Sequence, residues 1–425
     1  NGPGTFAPAA SFGVGDAPVF VTVGDFNGDH RVDLVLANYG AHDYNSPTVG
    51  STVSVLIGNG DGTFQPRSDL QAGSGPHGIA VADLNRDGVQ DLAVADFGPA
   101  NQRATTLSVL LANGNGSFQA PRQFEAGRGP TSVVAGDFNG NAMLDLALTN
   151  YDDISVSVLR GNGDGSFQPP IAFEVGHAPK SSALGDFNGD QVLDLAVADH
   201  YSDAVSVLLG TGDGSFLPHQ WYETGRNPAW VAVGDLNGDG ISDLAAANWF
   251  ATTASILIGR GDGTFLAHSD FGAGAAVEKL VLADFNADSQ IDIATVNYFA
   301  ASVSILLNTT TALRTATPTF DPPGGAYLAP QSVAISSATN GATIYYTTDG
   351  SIPTTNSSIY TSTILVAHTT TIRAMATASG MAASAVASAT FNTKLPPPAF
   401  SPPAGTYLGT VTVGITAAGG ANVHY

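Results

Sequence analysis

Apolar residues in this chain come in short runs. Residues 21–24, 34–37 and 51–57 are rich in Val, Leu, Ile and Ala, and Gly, Asp, Asn or Pro bounds each run. That length and punctuation predict β-strands, and no ten-residue stretch carries the 3.6-residue period of an amphipathic helix. The pattern then returns at a fixed interval. Asp-x-Asn-x-(Asp/Asn)-x-x-x-Asp begins at Asp25, Asp83, Asp137, Asp186, Asp235 and Asp284, at offsets of 58, 54, 49, 49 and 49 residues. A second motif, Gly-x-Gly-(Asp/Asn)-Gly-(Ser/Thr)-Phe or a close variant, keeps step and ends at Phe64, Phe118, Phe167, Phe216 and Phe265. Its remnant, Asn1-Gly2-Pro3-Gly4-Thr5-Phe6, opens the chain.

A unit of roughly 50 residues with about four strands has the size of one propeller blade. The expected fold is therefore all-β: a propeller over residues 1–308 of six blades, or seven if a further unit lies upstream. The last unit stops at Leu307-Asn308, without the glycine turn or the strand after it. The chain start, from Gly4-Thr5-Phe6 to Ser11-Phe12, carries that missing piece, so an N-terminal strand is expected to complete the last blade and cover two sheet edges.

The Gly-Asp-Phe-Asn-Gly-Asp repeats, with a Phe…Gly…Pro element at Phe173, Gly176 and Pro179, resemble the FG-GAP/VCBS repeat family. The resemblance implies a calcium-binding propeller of the kind found in integrin α-subunit heads and many secreted bacterial proteins.

Each Asp-rich loop is itself suited to a hard cation, because small acidic side chains on alternate residues can converge on it. In the first loop Asp25, Asn27, Asp29 and Asp33 stand at positions one, three, five and nine, and Arg31 at seven can offer only its carbonyl. The same places hold Asp83, Asn85, Asp87, Val89 and Asp91, then Asp137, Asn139, Asn141, Met143 and Asp145. Asp186, Asn188, Asp190, Val192 and Asp194 come next, then Asp235, Asn237, Asp239, Ile241 and Asp243. Asp284, Asn286, Asp288, Gln290 and Asp292 complete the set. An EF-hand is excluded, since position twelve is Leu36 in the first copy and both flanks read as strands. Asx-rich turns without metal are the plainer alternative. Against them, three carboxylates in nine residues repel one another unless a cation sits between them. About one Ca2+ per blade, up to six, is expected. The third loop should bind most weakly, because Asn141 replaces an Asp and Ala142 a turn former. Asp61, Asp164, Asp213 and Asp262, in the glycine turns, read as turn residues.

Charge agrees with this picture. The chain carries 36 Asp and Glu against 14 Lys and Arg, a net −22, and only four of the acids are Glu. That balance repels nucleic acid and anionic lipid surfaces. With no Cys, disulfide scaffolds, zinc-thiolate sites and Cys nucleophiles are excluded, and no apolar run approaches the ~18 residues of a membrane-spanning helix.

Opposite the loops, an Asn or Asp (Asn38, Asp96, Asn150, Asp199, Asn248, Asn297) precedes a ring in every unit. The rings are Tyr39, Phe97, Tyr151, His200 with Tyr201, Trp249 and Tyr298. Around one mouth they could stack sugars or bind peptide; the plainer reading is an Asx cap and rings packed between blades. The irregular loops 39–51 and 97–106 are further candidates for specificity. Scattered His and carboxylates committed to loops leave no acid/base pair, so catalysis by this part is not expected.

Composition shifts at Asn308. A Thr-rich linker, 309–317, leads to a module over 318–392 with Ile344-Tyr345-Tyr346-Thr347-Thr348-Asp349-Gly350-Ser351-Ile352-Pro353-Thr354. This resembles the chitobiase/β-hexosaminidase C-terminal type of immunoglobulin-like module, which implies a spacer. Phe320, Pro322 and Tyr327 recur as Phe400, Pro402 and Tyr407, so 393–425 is expected to be the start of a second, truncated copy, with the natural protein extending beyond both ends. The expected whole is a secreted or cell-surface binding and adhesion module for glycan or extracellular protein, without membrane insertion. The alternatives are part of a polysaccharide-degrading enzyme, or a structural filament component.

Overall fold

The computed structural model describes residues 10–40, 49–288, 290–310, 314–378, 381–393 and 399–416. The chain divides at Thr310 into two units.

In the first unit, each repeat folds as one antiparallel meander. The first sheet runs Pro18–Gly24, Asp33–Asn38, Thr52–Leu56 and Ser68–Gln71, and four more sheets have the same order. The sixth, Val277–Ala283, Asp292–Asn297 and Ser302–Leu306, has three strands among the described residues. The first strands of successive sheets pack side by side around a common axis, which makes the unit a β-propeller. Val, Leu, Ile and Ala on the two faces of each sheet fill the spaces between blades. Ile79, Leu92 and Val94 of the second blade, for example, meet Val35, Val53 and Val55 of the first. No helix occurs among the described residues.

The Phe of the glycine turn is an inter-blade wedge in the second to fifth blades. Phe118 packs 5.5 Å from Phe26 of the preceding blade's Asp loop, and Phe216 and Phe265 stand at the same separation from Phe138 and Phe187. Between the fifth and sixth blades the equivalent place is a cavity of about 220 Å³, lined by Leu236, Ile256, Phe271, Leu306 and Asn308. The remnant motif expected to supply that piece, Gly4 to Phe6, lies outside the described residues. A few residues downstream, Phe12 meets Phe64 edge-on at 5.1 Å. Phe124 bears the same relation to Phe167, and Phe173 to Phe216, so residue 12 stands where an outer strand preceding the first blade would.

The seam between last and first blades differs from the other five. Val21, 56% exposed, is the counterpart of buried Ile79, and Val303, 64% exposed, is the counterpart of buried Val53. Near the axis, Lys279 bridges this seam, its Nζ donating to the Val19 carbonyl at 2.8 Å.

One glycine per repeat is fixed by close approach. A Cβ on Gly176 would lie 2.6 Å from the Asp199 carboxyl carbon, and Gly15, Gly73, Gly127, Gly225 and Gly274 face the corresponding Asx in the same way.

In the second unit, Thr319–Asp321, Gln331–Ser336 and Ile364–Val366 form one sheet. Gly325–Tyr327, Ala387–Thr393, Thr370–Thr377, Thr343–Thr347 and Ser358–Ile359 form the other. Val333, Ile335, Ile344, Ile372 and Phe391 are the buried core of this β-sandwich. Ala399–Ser401 pairs with Gly414–Thr416 in a separate two-stranded sheet.

Candidate functional site

The Asp loops join the first and second strands of each blade. In the first, Asp25 Oδ1 accepts the amides of Gly28 and Asp29, and its Oδ2 accepts that of His30 at 2.8 Å. Burial works to raise its pKa, but these backbone amides outweigh it and hold the carboxyl below its ordinary value. Asn27 Oδ1 accepts the Asp29 amide, and Asp29 Oδ1 accepts that of Arg31. The loop turns through two left-handed residues. Position four is Gly28, Arg86, Gly140, Gly189, Gly238 or Ala287; position six includes His30, Gly88, Ala142, Gln191 and Gly240.

The ninth-position aspartates do something that loop spacing did not suggest. Asp33, Asp91, Asp145, Asp194, Asp243 and Asp292 are completely buried. Asp194 Oδ2 accepts the Phe187 amide and Oδ1 the Gly210 amide, both at 2.8 Å. The other five repeat this clamp, so a single carboxylate ties the Asp loop to the start of the glycine turn in the first five blades and to Asn308 in the sixth. Burial pushes Asp91 and Asp194 up to about 6, and the neighbouring loop carboxylates add to the rise.

Among the described residues, no three Asp, Glu or His side chains already converge as a metal cage. The donor set nonetheless fits a hard cation: it is all oxygen, with a buried carboxylate at its base. In the third loop the Asn139 Oδ1 is buried without a hydrogen-bond partner, while its Nδ2 donates to Asp145 Oδ2 at 2.9 Å. A buried acceptor left without a donor suits a cation ligand. The aspartates of the glycine turns are occupied locally. Asp213 Oδ1 accepts the amide of Ser215 and the hydroxyl of Thr211, and the hydroxyls of Ser215 and Thr211 lead the bonds that hold it down to about 2.

At the opposite mouth, the Asx row is a set of strand ties. Asn150 Nδ2 donates to the hydroxyls of Ser155 and Ser157, and Asn38, Asn248 and Asn297 repeat this. Asp96 and Asp199 replace the amide, and burial pushes each up to about 7. The fold therefore holds a proton that the unfolded chain releases near 4, and stability is lost as pH rises from about 4 to about 7. Asp199→Asn, which copies the neutral form, is expected to add about 1–3 kcal/mol at pH 8 and little at pH 5, read from melts at both pH values.

The rings divide into two groups. Tyr39, Phe97 and His200 are buried, packed between blades as in the plainer reading, and offer no face to a ligand. Burial pulls His200 down to about 4, and its Nδ1 faces the Pro228 carbonyl. Tyr151 and Trp249 are half-buried, while Tyr201 and Tyr298 are exposed, together with Phe250 and Phe299, which the repeat pattern does not single out. Trp249 and Tyr298 lie 5.4 Å apart at 36°, with Phe250 and Phe299 at their edges. This is a contiguous exposed aromatic surface on the fifth and sixth blades. Of the two irregular loops, 41–48 lies outside the described residues. The second is anchored by Arg103, over the Phe97 ring at 3.9 Å and paired with Asp152 at 3.4 Å.

The model of the FG-GAP-like repeat matches residues 38–94, 137–197, 186–246 and 235–295, just over half of the chain. The chain belongs to the FG-GAP-like repeat family. Downstream of its FG-GAP repeats, residues 322–388 match the chitobiase/beta-hexosaminidase C-terminal domain. Comparison with curated proteins finds no match. Among solved structures, the chain is similar to a functionally unknown protein from Desulfotomaculum acetoxidans, at 9% identity and TM-score 0.47, over 69% of this chain and 87% of that one. It is also similar to an Agrocybe aegerita lectin that recognises non-reducing terminal N-acetylglucosamine, at 20% identity and TM-score 0.45, over 68% and 80%. A third is a putative 6-phosphogluconolactonase from Bacteroides fragilis, at 11% identity and TM-score 0.44, over 68% and 94%.

Proposed function

We propose that this FG-GAP chain is a secreted or cell-surface binding module, stabilised by calcium, that takes saccharide on the aromatic surface of its fifth and sixth blades. The observation that carries the reading is the contiguous set of half-buried Trp249 and exposed Phe250, Tyr298 and Phe299 on a rim where the first blades bury their rings. Flat aromatic faces stack against the apolar faces of sugar rings, and a rigid β-scaffold holds them at little entropic cost. Calcium is the group the Asp loops would hold: Asp25, Asn27, Asp29 and Asp33 and their counterparts supply the oxygens, and the ion supplies the positive charge that the clustered carboxylates lack. Millimolar extracellular calcium would do for the hairpins what disulfides do in other secreted domains. A binding role also suits the described histidines of the mouth. Burial holds His77 down to about 3 and His200 to about 4, so neither serves as a proton carrier near neutrality.

The test is a glycan array with the full chain in calcium, then titration of the best ligand. Trp249→Ala and Tyr298→Ala are each expected to weaken binding about tenfold or more, with unchanged melting temperature. Full affinity in both variants would refute the site.

A further inference from the structure

The first-strand residue after each mouth turn differs in all six blades: Val19, His77, Thr131, Lys180, Ala229 and Glu278. The residue before them is Pro in five of the six copies, but these do not repeat, and they converge on the axial opening beside Phe20, Trp230 and Lys279. Two of the chain's 14 cations meet there.

The two lysines are placed differently. Lys279 is already engaged, bonded to the Val19 carbonyl and lying 4.7 Å from the Phe20 ring centroid and 5.4 Å from that of Trp230. Lys180 holds its ammonium over the Trp249 ring, 5.1 Å from the centroid. Among the described residues Lys180 makes no hydrogen bond or ion pair, and Glu278 acts on it only at longer range. Burial lowers its basicity, as expected for a cation short of a counter-charge. His77, its Nδ1 against the Thr131 carbonyl at 2.8 Å, adds no charge. The opening therefore carries two ammonium groups and one carboxylate, in a chain of net −22.

We infer that this mouth selects acidic saccharides, a sugar ring lying on Trp249 and Tyr298 with its carboxylate on the Lys180 ammonium. The inference rests on the saccharide reading and names its ligand class. A carboxylate on an under-solvated ammonium makes a charge-assisted hydrogen bond, roughly twice as strong as the neutral bond a hydroxyl would make.

The experiment titrates the full chain, in calcium, with glucuronate-terminated oligosaccharides and their glucose-terminated counterparts. The wild type is expected to bind the acidic form about tenfold tighter, less so as salt rises. Lys180→Met should abolish that preference while keeping the neutral affinity, and Lys180→Arg should keep most of it. Trp249→Ala should weaken both forms alike. A wild type without preference for the acid, or a Lys180→Met variant that weakens both forms equally, overturns the inference while leaving the stacking surface standing. Unchanged binding of both forms in Trp249→Ala overturns the surface itself.

Discussion

Stripping calcium from the protein is expected to lower its melting temperature by more than any single substitution. A cation that binds only the folded chain stabilises it by about 2.7 kcal/mol per site when its free concentration is a hundred times the Kd. Six loops offer six such terms, and even half of them rival the ~5–15 kcal/mol total stability of an ordinary domain. The physical source is the charge left behind. Asp83, Asp87 and Asp91 share nine residues, and Asp91 is buried, with both neighbours pressing its carboxyl toward protonation. Without a cation, folding concentrates those charges; with one, it neutralises them. Scanning calorimetry of chelator-stripped protein, before and after adding back calcium, checks this, and coincident melts would remove calcium from the account. The loops are not expected to contribute equally. The third has Asn141 in place of a carboxylate, so Asp137→Ala should cost less calcium-dependent stability than Asp235→Ala. Equal losses would show that the charge at position five does not set affinity.

Much of the architecture is legible in the sequence because it is periodic. Strands, blade length and loop positions can be read from six copies of one pattern, and the sheets match it copy by copy. Features that depend on neighbours distant in sequence are not legible. The ninth-position clamp joins residues 7 and 16 positions away in the fourth blade, through amides that every residue but proline carries, so no side-chain pattern announces it. The burial of Tyr39, whose hydroxyl donates to the Gly98 carbonyl at 3.3 Å, is decided by the adjoining blade. Equivalent positions in the fifth and sixth blades lack that cover, so Trp249 and Tyr298 look alike in sequence to rings that are buried. The axial residues do carry a signal, the one inner-strand column in which no two copies agree. A search for repetition is blind to it, because the column is marked only by the failure to repeat. Of the N-terminal piece offered for blade closure, residues 4–12, the part before residue 10 lies outside the described residues, and the described sixth sheet has three strands.

Asp194→Ala separates two tasks that the loops combine. Its carboxylate accepts the Phe187 and Gly210 amides in a fully buried setting, so truncation leaves two donors without partners. Each orphaned buried amide costs about 1–3 kcal/mol, and loss of bonds to a charged acceptor lies at the upper end. A total of about 3–5 kcal/mol is expected, read from urea unfolding, and it should persist in calcium-free buffer because the clamp is made by the chain alone. Asp190→Ala is the control. Asp190 lies on the outside of the same loop, bonded to the Val192 amide and to Asn188. Its loss should change calcium-free stability by about 1 kcal/mol or less, while removing most of what calcium adds at that blade. Asp194→Asn should fall between, since the amide keeps one acceptor but turns an NH2 toward a second N–H donor. If Asp194→Ala were costly only in calcium, the buried carboxylate would be a ligand whose backbone bonds contribute nothing, and the loop would owe its shape to the ion. If it is costly in both media, the chain builds the base of the cradle by itself, and calcium has only to settle the outer aspartates onto a frame already in place.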